Sequence, residues 1–193
     1  MKSLIFNWKV DIVCLQESKL EGEIYDIIKE IWGGRWVKCA YLQASGTRRG
    51  ILMLWDSRSW KGKVLETGSY TLTCKFEVVF QDFNCHITGV YAPNGRVERE
   101  HVWEEIGAVR SLFEGPWAVC GDFNIIRYPL EKRNCRRTLD MIEFSNFIED
   151  MDLVDLQLVG GNYTWFKGGN NNVASRIDKI LISKEWDANF SRI

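Results

Sequence analysis

The stretch Pro116-Trp117-Ala118-Val119-Cys120-Gly121-Asp122-Phe123-Asn124 decides the interpretation of this chain, because an apolar run ends there in a carboxylate and a carboxamide. Successive side chains of a strand alternate between the two faces of a sheet. If the run is a buried strand, Asp122 and Asn124 therefore point the same way at its exit. Ligand and catalytic groups of α/β folds collect at such strand ends. Asp and Asn are also common turn residues, so a plain turn is the alternative.

Three other segments also place polar groups beside short apolar runs. The run 11–15 ends in Gln16-Glu17-Ser18, the run 87–90 ends in Tyr91-Ala92-Pro93-Asn94, and Ser175-Arg176-Ile177-Asp178 leads into the run 179–182. Each segment has a plain interpretation by itself. Glu17 fits a solvated acid, Tyr91 a packed turn residue, and Asp178 an ion pair with Arg176.

Taken together and in order, these phrases resemble the endonuclease/exonuclease/phosphatase superfamily. The supporting phrases are DIVCLQESK at 11–19, GDFN at 121–124, NYTW at 162–165 and SRIDK at 175–179. Within the superfamily they are most similar to the apurinic-type endonuclease domain of plant LINE-like (non-LTR) retrotransposons. The resemblance covers nearly the whole chain. It implies a four-layer α/β sandwich, in which two mixed β-sheets pack face to face with helices outside and the active site lies where the loops of both sheets meet.

Hydrophobic spacing independently favours an α/β fold, because helical and strand patterns alternate along the chain. Helix faces are indicated by Ile24, Ile27, Ile28 and Ile31, by Val102, Ile106, Val109 and Phe113, and by Phe144, Phe147, Ile148 and Met151. Strands are predicted near 11–17, 35–43, 50–56, 70–80, 85–91, 117–121, 163–167 and 176–182. Such interleaving suits two packed sheets with helices on their outer faces.

Composition predicts one domain over residues 1–193 and gives no general nucleic-acid signal. The chain is 46% hydrophobic, which is ample for one core, and its 25 basic residues balance 26 acidic ones. Any contact with DNA must therefore come from a local patch. No apolar stretch reaches the ~20 residues of a membrane helix, and the first residues look like neither a signal nor a transit peptide. We expect an intracellular protein of the nucleus or cytoplasm and predict no protein partner.

The six cysteines show no C-x-x-C spacing, which favours buried free thiols. A zinc site is disfavoured because only His86 and His101 could assist the thiols. Both histidines are predicted to be structural or solvated, since His86 lies in a strand pattern and His101 near a helix start.

The resemblance assigns catalytic and metal-binding roles to five residues. Glu17 matches a metal-binding glutamate, and its hard carboxylate oxygens suit Mg²⁺ or Mn²⁺. Asp122 matches the acid that activates water, and Asn124 matches the amide that positions water or phosphate. Tyr91 matches a tyrosine that donates to the phosphate or leaving group, and Asp178 an aspartate that orients a catalytic histidine. The implied reaction is metal-dependent hydrolysis of DNA phosphodiesters.

Substrate contacts are predicted in two places. Directly after GDFN, five basic residues surround one acid, Glu131, and such side chains can hold phosphates. The basic residues are Arg127, Lys132, Arg133, Arg136 and Arg137. A solvated loop is the alternative interpretation. By resemblance, Thr164 and Trp165 form walls of the substrate site, with Ser175 in the same framework.

The chain also departs from the family pattern at both ends. The family's opening strand carries S-W-N, whereas the segment 1–8 has Leu4, Ile5 and Trp8 at helical spacing. The family's closing S-D-H phrase is not reached before Ile193. We therefore expect an incomplete domain without the first and last core strands, with weak or no activity. An inositol-phosphate or lipid phosphatase of the same fold and a non-catalytic remnant remain the alternatives.

Overall fold

Two β-sheets lie face to face in the computed structural model, which describes residues 2–18, 24–44, 46, 49–168 and 173–190. The helices in chain order are α1 (Lys2–Trp8), α2 (Ile24–Ile31), α3 (Arg96–Arg110), α4 (Leu139–Asp150) and α5 (Lys184–Phe190). The strands are β1 (Ile12–Ser18), β2 (Val37–Leu42), β3 (Gly50–Asp56), β4 (Trp60–Thr67), β5 (Thr71–Val78), β6 (Asn84–Tyr91), β7 (Trp117–Asp122), β8 (Leu153–Asp155), β9 (Trp165–Lys167), β10 (Val173–Ser175) and β11 (Asp178–Ser183). A short 3₁₀ helix covers Pro129–Glu131.

The smaller sheet has the order β1-β3-β2, and both of its strand pairs are antiparallel. Its central strand β3 is buried along its whole length, as its unbroken apolar sequence from Gly50 to Trp55 requires. Helix α2 covers the outer face, where Ile28 packs against Leu52 and Leu54. The apolar stripe of α2 thus has the partner that an amphipathic helix needs.

The larger sheet has the order β4-β5-β6-β7-β11-β8. Strands β6 and β7 are parallel because α3 crosses over between them, and the other described pairs are antiparallel. Helices α3 and α4 cover its outer face, where Ile106 and Phe144 share a core with Val119 and Leu181. The separate hairpin β9-β10 completes the described strands.

Between the sheets lies a second apolar core, in which Met53 and Trp55 of the smaller sheet pack against Leu72 and Phe76 of the larger one. The layers are therefore helix, three-stranded sheet, six-stranded sheet and helix. This confirms the predicted α/β sandwich. The carboxyl ends of β1, β6 and β7 lie in the same region of the molecule, because Cys14 of β1 lies against Gly89 of β6 and the later residue Gln16 lies against Gly121 of β7.

All eight predicted strands are present, but three more and one helix were missed. Strand β4 escaped because it is an exposed edge strand of mixed polarity, and β8 and β10 are only three residues long. The helix α5 has no buried residue, and its apolar pair Trp186 and Phe190 is too short a pattern to predict a helix. Phe113 lies beyond the end of α3, so its helical spacing was a coincidence of the turn that follows.

The cysteines are free in the structure, as predicted. Cys74 and Cys85 are buried, whereas the remaining four are only half-buried, so full burial was wrong for those four. No helix in the described part of the chain has both the length and the apolar character to cross a membrane.

Candidate active site

Tyr91, Asp122 and Asp178 form one row across three adjacent strands. In the strand registers, Asp122 pairs with Tyr91 on the parallel neighbour β6 and with Asp178 on the antiparallel neighbour β11. Residues paired in this way point to the same face and are spaced by about 5 Å. The sheet therefore brings together two carboxylates and a phenol that are far apart in sequence.

The row faces the smaller sheet. Strand alternation places Asp122 and Asp178 on the side of Cys120 and Ile180, which line a cavity of about 560 Å³ between the two sheets. Asp178 itself lines the cavity, as does Gln16 of β1. The end of β1, which carries the predicted metal ligand Glu17, therefore lies across this cavity from the ends of β7 and β11. The side chain of Glu17 lies outside the described residues.

The pair Asp122 and Asn124 is arranged by a turn and not by strand alternation, because β7 ends at Asp122. The Asn124 backbone N–H donates to Asp122 Oδ1 at 2.7 Å, and Asn124 has a left-handed backbone with φ 49°. Asn tolerates this conformation better than most residues. The Asn124 side chain donates from Nδ2 to the Ala92 carbonyl at 2.6 Å. The turn that was the alternative interpretation is therefore present, and it forms part of the candidate site.

Gly121 allows β7 to approach β6 at the site. Its φ is +145°, and a Cβ at this position would lie 2.0 Å from the Val90 carbonyl oxygen and 3.1 Å from Gln16 Nε2. No other residue fits there without displacing the backbone. The glycine of the GDFN phrase is therefore required for the register that aligns Tyr91 with Asp122.

Thr164 fixes the segment that enters β11. Its Oγ1 accepts hydrogen bonds from the backbone N–H groups of Ile177 and Asp178, both at 3.1 Å. This framework role holds Asp178 in the row. Trp165 begins the β9-β10 hairpin and is 42% exposed, so its ring is open to a ligand.

Arg99 of α3 is a supporting residue that the sequence did not reveal. It is 5% exposed and donates from Nη1 to the carbonyl oxygens of Asn94 at 2.6 Å and Asn124 at 3.5 Å. Its Nη2 pairs with Asp140 Oδ2 at 2.5 Å. One buried guanidinium thus ties together the loops that follow β6 and β7. The sequence contained one signal that could have revealed Arg99, namely a basic residue on the buried face of a helix.

A buried charge network lies beneath the site, on the opposite face of β11 from Asp178. Lys179 Nζ is 2.8 Å from Glu131 Oε1 and 3.3 Å from Asp155 Oδ2. Arg176 bridges the same two carboxylates at 2.8 and 2.6 Å. Burial lowers the pKa of Lys179, although both carboxylates oppose the shift. The sequence suggested an ion pair between Arg176 and Asp178. In the structure, Arg176 pairs instead with Glu131 and Asp155.

The basic segment 127–137 is divided by this network. Arg127 is half-buried, and its backbone N–H donates to Glu131 Oε2 at 2.6 Å, so it belongs to the framework. The side chains of Lys132, Arg133, Arg136 and Arg137 are exposed. The Arg133 guanidinium lies 5.8 Å from the centre of the Tyr163 ring, next to the hairpin. The exposed part of the segment therefore borders the β9-β10 hairpin.

Both histidines of the chain lie away from the row. His86 is buried near the opposite end of β6, pairs in register with Trp117, and stacks on Phe113 with 3.8 Å between ring centres. Burial lowers the pKa of His86, and the positive charge of Lys75 adds to this effect. His101 is on the exposed face of α3, 3.4 Å from Glu104. Their prediction as structural or solvated residues agrees with these positions.

The oxygen donors of the row suit a hard divalent cation, but the described residues contain no group of three or more His, Cys, Asp or Glu side chains that could hold a metal. Mg²⁺ is commonly held by one or two carboxylates and keeps several waters. Carboxylate oxygens such as those of the predicted ligand Glu17 are the kind that Mg²⁺ or Mn²⁺ prefers.

Comparison with protein families gives a match over residues 1–192 to the model described as the endonuclease/exonuclease/phosphatase family. The chain is similar to an exodeoxyribonuclease of Bacillus subtilis (strain 168), with 24% identity over 208 residues that cover 90% of this chain and 77% of the relative.

Two solved structures show the same fold. The endonuclease domain of TRAS1, a telomere-specific non-LTR retrotransposon, is similar with a TM-score of 0.72 and 14% identity, over 94% of this chain and 77% of that one. A mannosyl-6-phosphatase of Bacteroides thetaiotaomicron is similar with a TM-score of 0.63 and 15% identity, over 95% and 74% of the two chains. The fold is thus shared by nucleases and phosphatases.

Proposed function

The chain belongs to the endonuclease/exonuclease/phosphatase family, and from this premise we propose that it is a DNA phosphodiesterase domain of retroelement type that depends on a divalent metal. The observation that supports this most directly is the row of Tyr91, Asp122 and Asp178, which the strand registers align beside Asn124. Phosphodiester hydrolysis needs an acid-base group, donors toward the phosphoryl oxygens and charge neutralisation in one place. The row and the adjoining end of β1 contain these groups.

Each residue of the site has a proposed task. Asp122 orients the attacking water and accepts its proton, and it is held for this by the Asn124 N–H bond to its Oδ1. Asn124 positions the water or the phosphate. Tyr91 donates its phenol proton to a phosphate oxygen or to the leaving group. Asp178 is proposed to orient a catalytic histidine.

The metal is proposed to be Mg²⁺ or Mn²⁺, held by Glu17. When bound, it would neutralise charge on the phosphoryl oxygens. Because few protein oxygens are available, its affinity is expected to be weak. Calorimetric titration with Mg²⁺ tests the assignment, and tight binding that persists in Glu17→Gln would contradict it.

DNA is proposed to lie along the exposed basic residues and the hairpin. Lys132, Arg133, Arg136 and Arg137 would contact phosphates, and Trp165 would contact the nucleotide nearest the site. Arg127 and Thr164 support these surfaces from inside, since their polar groups already bind other parts of the chain. Both were expected to touch substrate directly, and we now assign them an indirect contribution.

The activity of these 193 residues alone is proposed to be low. Neither His86 nor His101 is near Asp178, so the aspartate has no histidine of this chain to orient. Loss of a general acid-base group commonly costs a factor of ~10²–10⁴ in rate.

The test is Mg²⁺-dependent nicking of supercoiled DNA that contains abasic sites. We expect the chain to nick no faster than its own Asp122→Ala variant. The same chain extended by sequences that carry the S-W-N and S-D-H phrases should nick, and Asp122→Ala or Asn124→Ala in that extended protein should abolish the activity. Robust nicking by the unextended chain that is lost in Asp122→Ala would support the site but refute the low activity.

A phosphatase is the second candidate, favoured by the similarity to the mannosyl-6-phosphatase fold. Both reactions use the same kind of site, so substrate shape decides between them. Release of phosphate from an inositol phosphate or a sugar phosphate by the extended protein, without cleavage of any DNA, would replace the nuclease proposal with this one.

A further inference from the structure

We propose that Cys14 and Cys120 are a peroxide-sensitive thiol pair that closes to a disulfide between the two sheets. Cys14 lies on β1 of the smaller sheet and Cys120 on β7 of the larger one. Both line the cavity between the sheets and are half-buried, so a small oxidant can reach them. This modification site is independent of the proposed hydrolytic function.

Gly89 makes the approach of the two thiols possible. Gly89 is the register partner of Cys120 on the neighbouring strand β6. The Cys14 sulfur lies only 2.6 Å from the position that a Cβ on Gly89 would occupy. A side chain there would push Cys14 away, whereas the glycine leaves a recess in the larger sheet beside Cys120. The sulfur of Cys14 fills this recess from the opposite sheet.

The two thiols contact one another in the cavity. A hydrogen bond between them raises the pKa of Cys14 and lowers the pKa of Cys120, and Gln16 Nε2 also donates to the Cys14 sulfur at 3.3 Å. Either thiol can therefore attack the oxidant, and the other then resolves the product. Burial raises the pKa of Cys74 and of Cys85 to about 12, so these neighbours stay protonated.

The reaction is balanced with hydrogen peroxide as the oxidant. The thiolate of one cysteine attacks one peroxide oxygen, the O–O bond breaks, and hydroxide leaves and is protonated to water. The sulfur of the other cysteine then attacks the sulfenic sulfur and loses its proton, the S–S bond forms, and the S–O bond breaks with release of a second water. Two thiols are oxidised and one peroxide is reduced to two waters.

The disulfide would join the strands at the base of the candidate site. Cys120 directly precedes Gly121 and Asp122, and Cys14 stands two residues before Gln16, which itself lies against Gly121. The bond would close a loop of about a hundred residues, and such long loops give large stabilisation of the folded state. We expect the unfolding midpoint of the oxidised protein to rise by ~5–10 °C.

The experiment treats the reduced protein with hydrogen peroxide, blocks remaining thiols, digests with trypsin without reductant and analyses the peptides by mass spectrometry. Peptides 10–19 and 111–127 should appear linked, at a mass about 2 Da below their sum, because two hydrogens are lost. Cys14→Ser should leave a sulfenic acid on Cys120 that dimedone traps. Cys135→Ser is the matched control, because Cys135 lies in a loop outside the cavity, and it should leave the linked peptide unchanged.

Two outcomes would overturn the proposal. One is oxidation of Cys135 without any link between peptides 10–19 and 111–127. The other is a link from Cys14 or Cys120 to Cys74 or Cys85 of equal or greater yield. Circular dichroism of Cys14→Ser and of Cys14→Ala shows whether the variants are folded, and the wild-type result stands without them. Because mass is measured and not cleavage of DNA, failure of the nuclease proposal would not affect this result.

Discussion

The two parts of the basic segment 127–137 differ although their sequences look alike. Arg127 and Glu131 face inward. The Glu131 carboxylate forms salt bridges with Lys179 and Arg176 and accepts a hydrogen bond from the Arg127 backbone N–H. Lys132, Arg133, Arg136 and Arg137 face solvent. The inward part fastens the segment to β11, and the outward part is free to contact a ligand. A run of charges in a sequence can therefore contain both a structural element and a binding surface.

The largest effect is expected from removal of the central carboxylate. Glu131→Ala would leave Lys179 and Arg176 short of a partner in a buried place, which costs about 3–5 kcal/mol of unfolding free energy. Denaturant unfolding measures this loss. Arg136→Ala is the matched control in the same segment, and it should stay within about 0.5 kcal/mol of the wild type. Equal losses of unfolding free energy in both variants would show that the inward and outward parts of the segment do not differ in their contribution to stability.

Arg99 extends the comparison to a second buried basic residue. Arg99→Met should cost about 1–3 kcal/mol, because Asp140 and the Asn94 carbonyl lose a charged donor. Its neighbour Arg96 also binds α4, through Asp140 and Glu143, but is 46% exposed in its side chain. Arg96→Met should therefore lower the unfolding free energy less than Arg99→Met does. A reversed order in thermal or denaturant unfolding would show that burial does not decide the contribution.

The outward part is tested by DNA affinity. Changing Arg133, Arg136 and Arg137 together to Ala should reduce the slope of log K against log salt by up to about 2.7, since each phosphate contact contributes about 0.9. The unfolding free energy should remain within about 0.5 kcal/mol for each change, because the side chains are exposed. Fluorescence anisotropy at several salt concentrations gives the slope. An unchanged slope would place DNA binding elsewhere.

The smallest effect concerns His86, a buried basic group whose Nδ1 has no hydrogen-bond partner among the residues that the structure describes. Its pKa is lowered in the folded state, so the unfolded chain binds a proton more readily. The unfolding free energy should therefore fall as pH decreases from the ordinary histidine pKa toward the lowered one, with the full loss reached below it. His86→Phe, which keeps the stack on Phe113, should show a smaller decrease between pH 7.5 and 5.5. A steeper decrease in the variant would contradict this assignment.

Much of the fold could be predicted from the sequence. The apolar run 50–55 favoured a buried strand, and the order of the LQES, GDFN and SRID phrases indicated the family. Strand β4 was missed because its stability comes from pairing with β5 and not from its own pattern. The Glu131 network was also missed. A single acid among five bases gave the clue, but its partners Lys179 and Asp155 are distant in sequence.

By itself, the sequence determined most of the elements and the residue types at their ends, because apolar periodicity and turn chemistry are local properties. Only the tertiary structure decided which of these ends meet. Strand register aligned Tyr91 with Asp122 and Asp178, and the packing of the sheets brought Cys14 to Cys120. Burial separated Arg127 from Arg133 within one charged segment. Register, sheet packing and burial depend on contacts between residues far apart in the chain, and a local pattern carries no information about them.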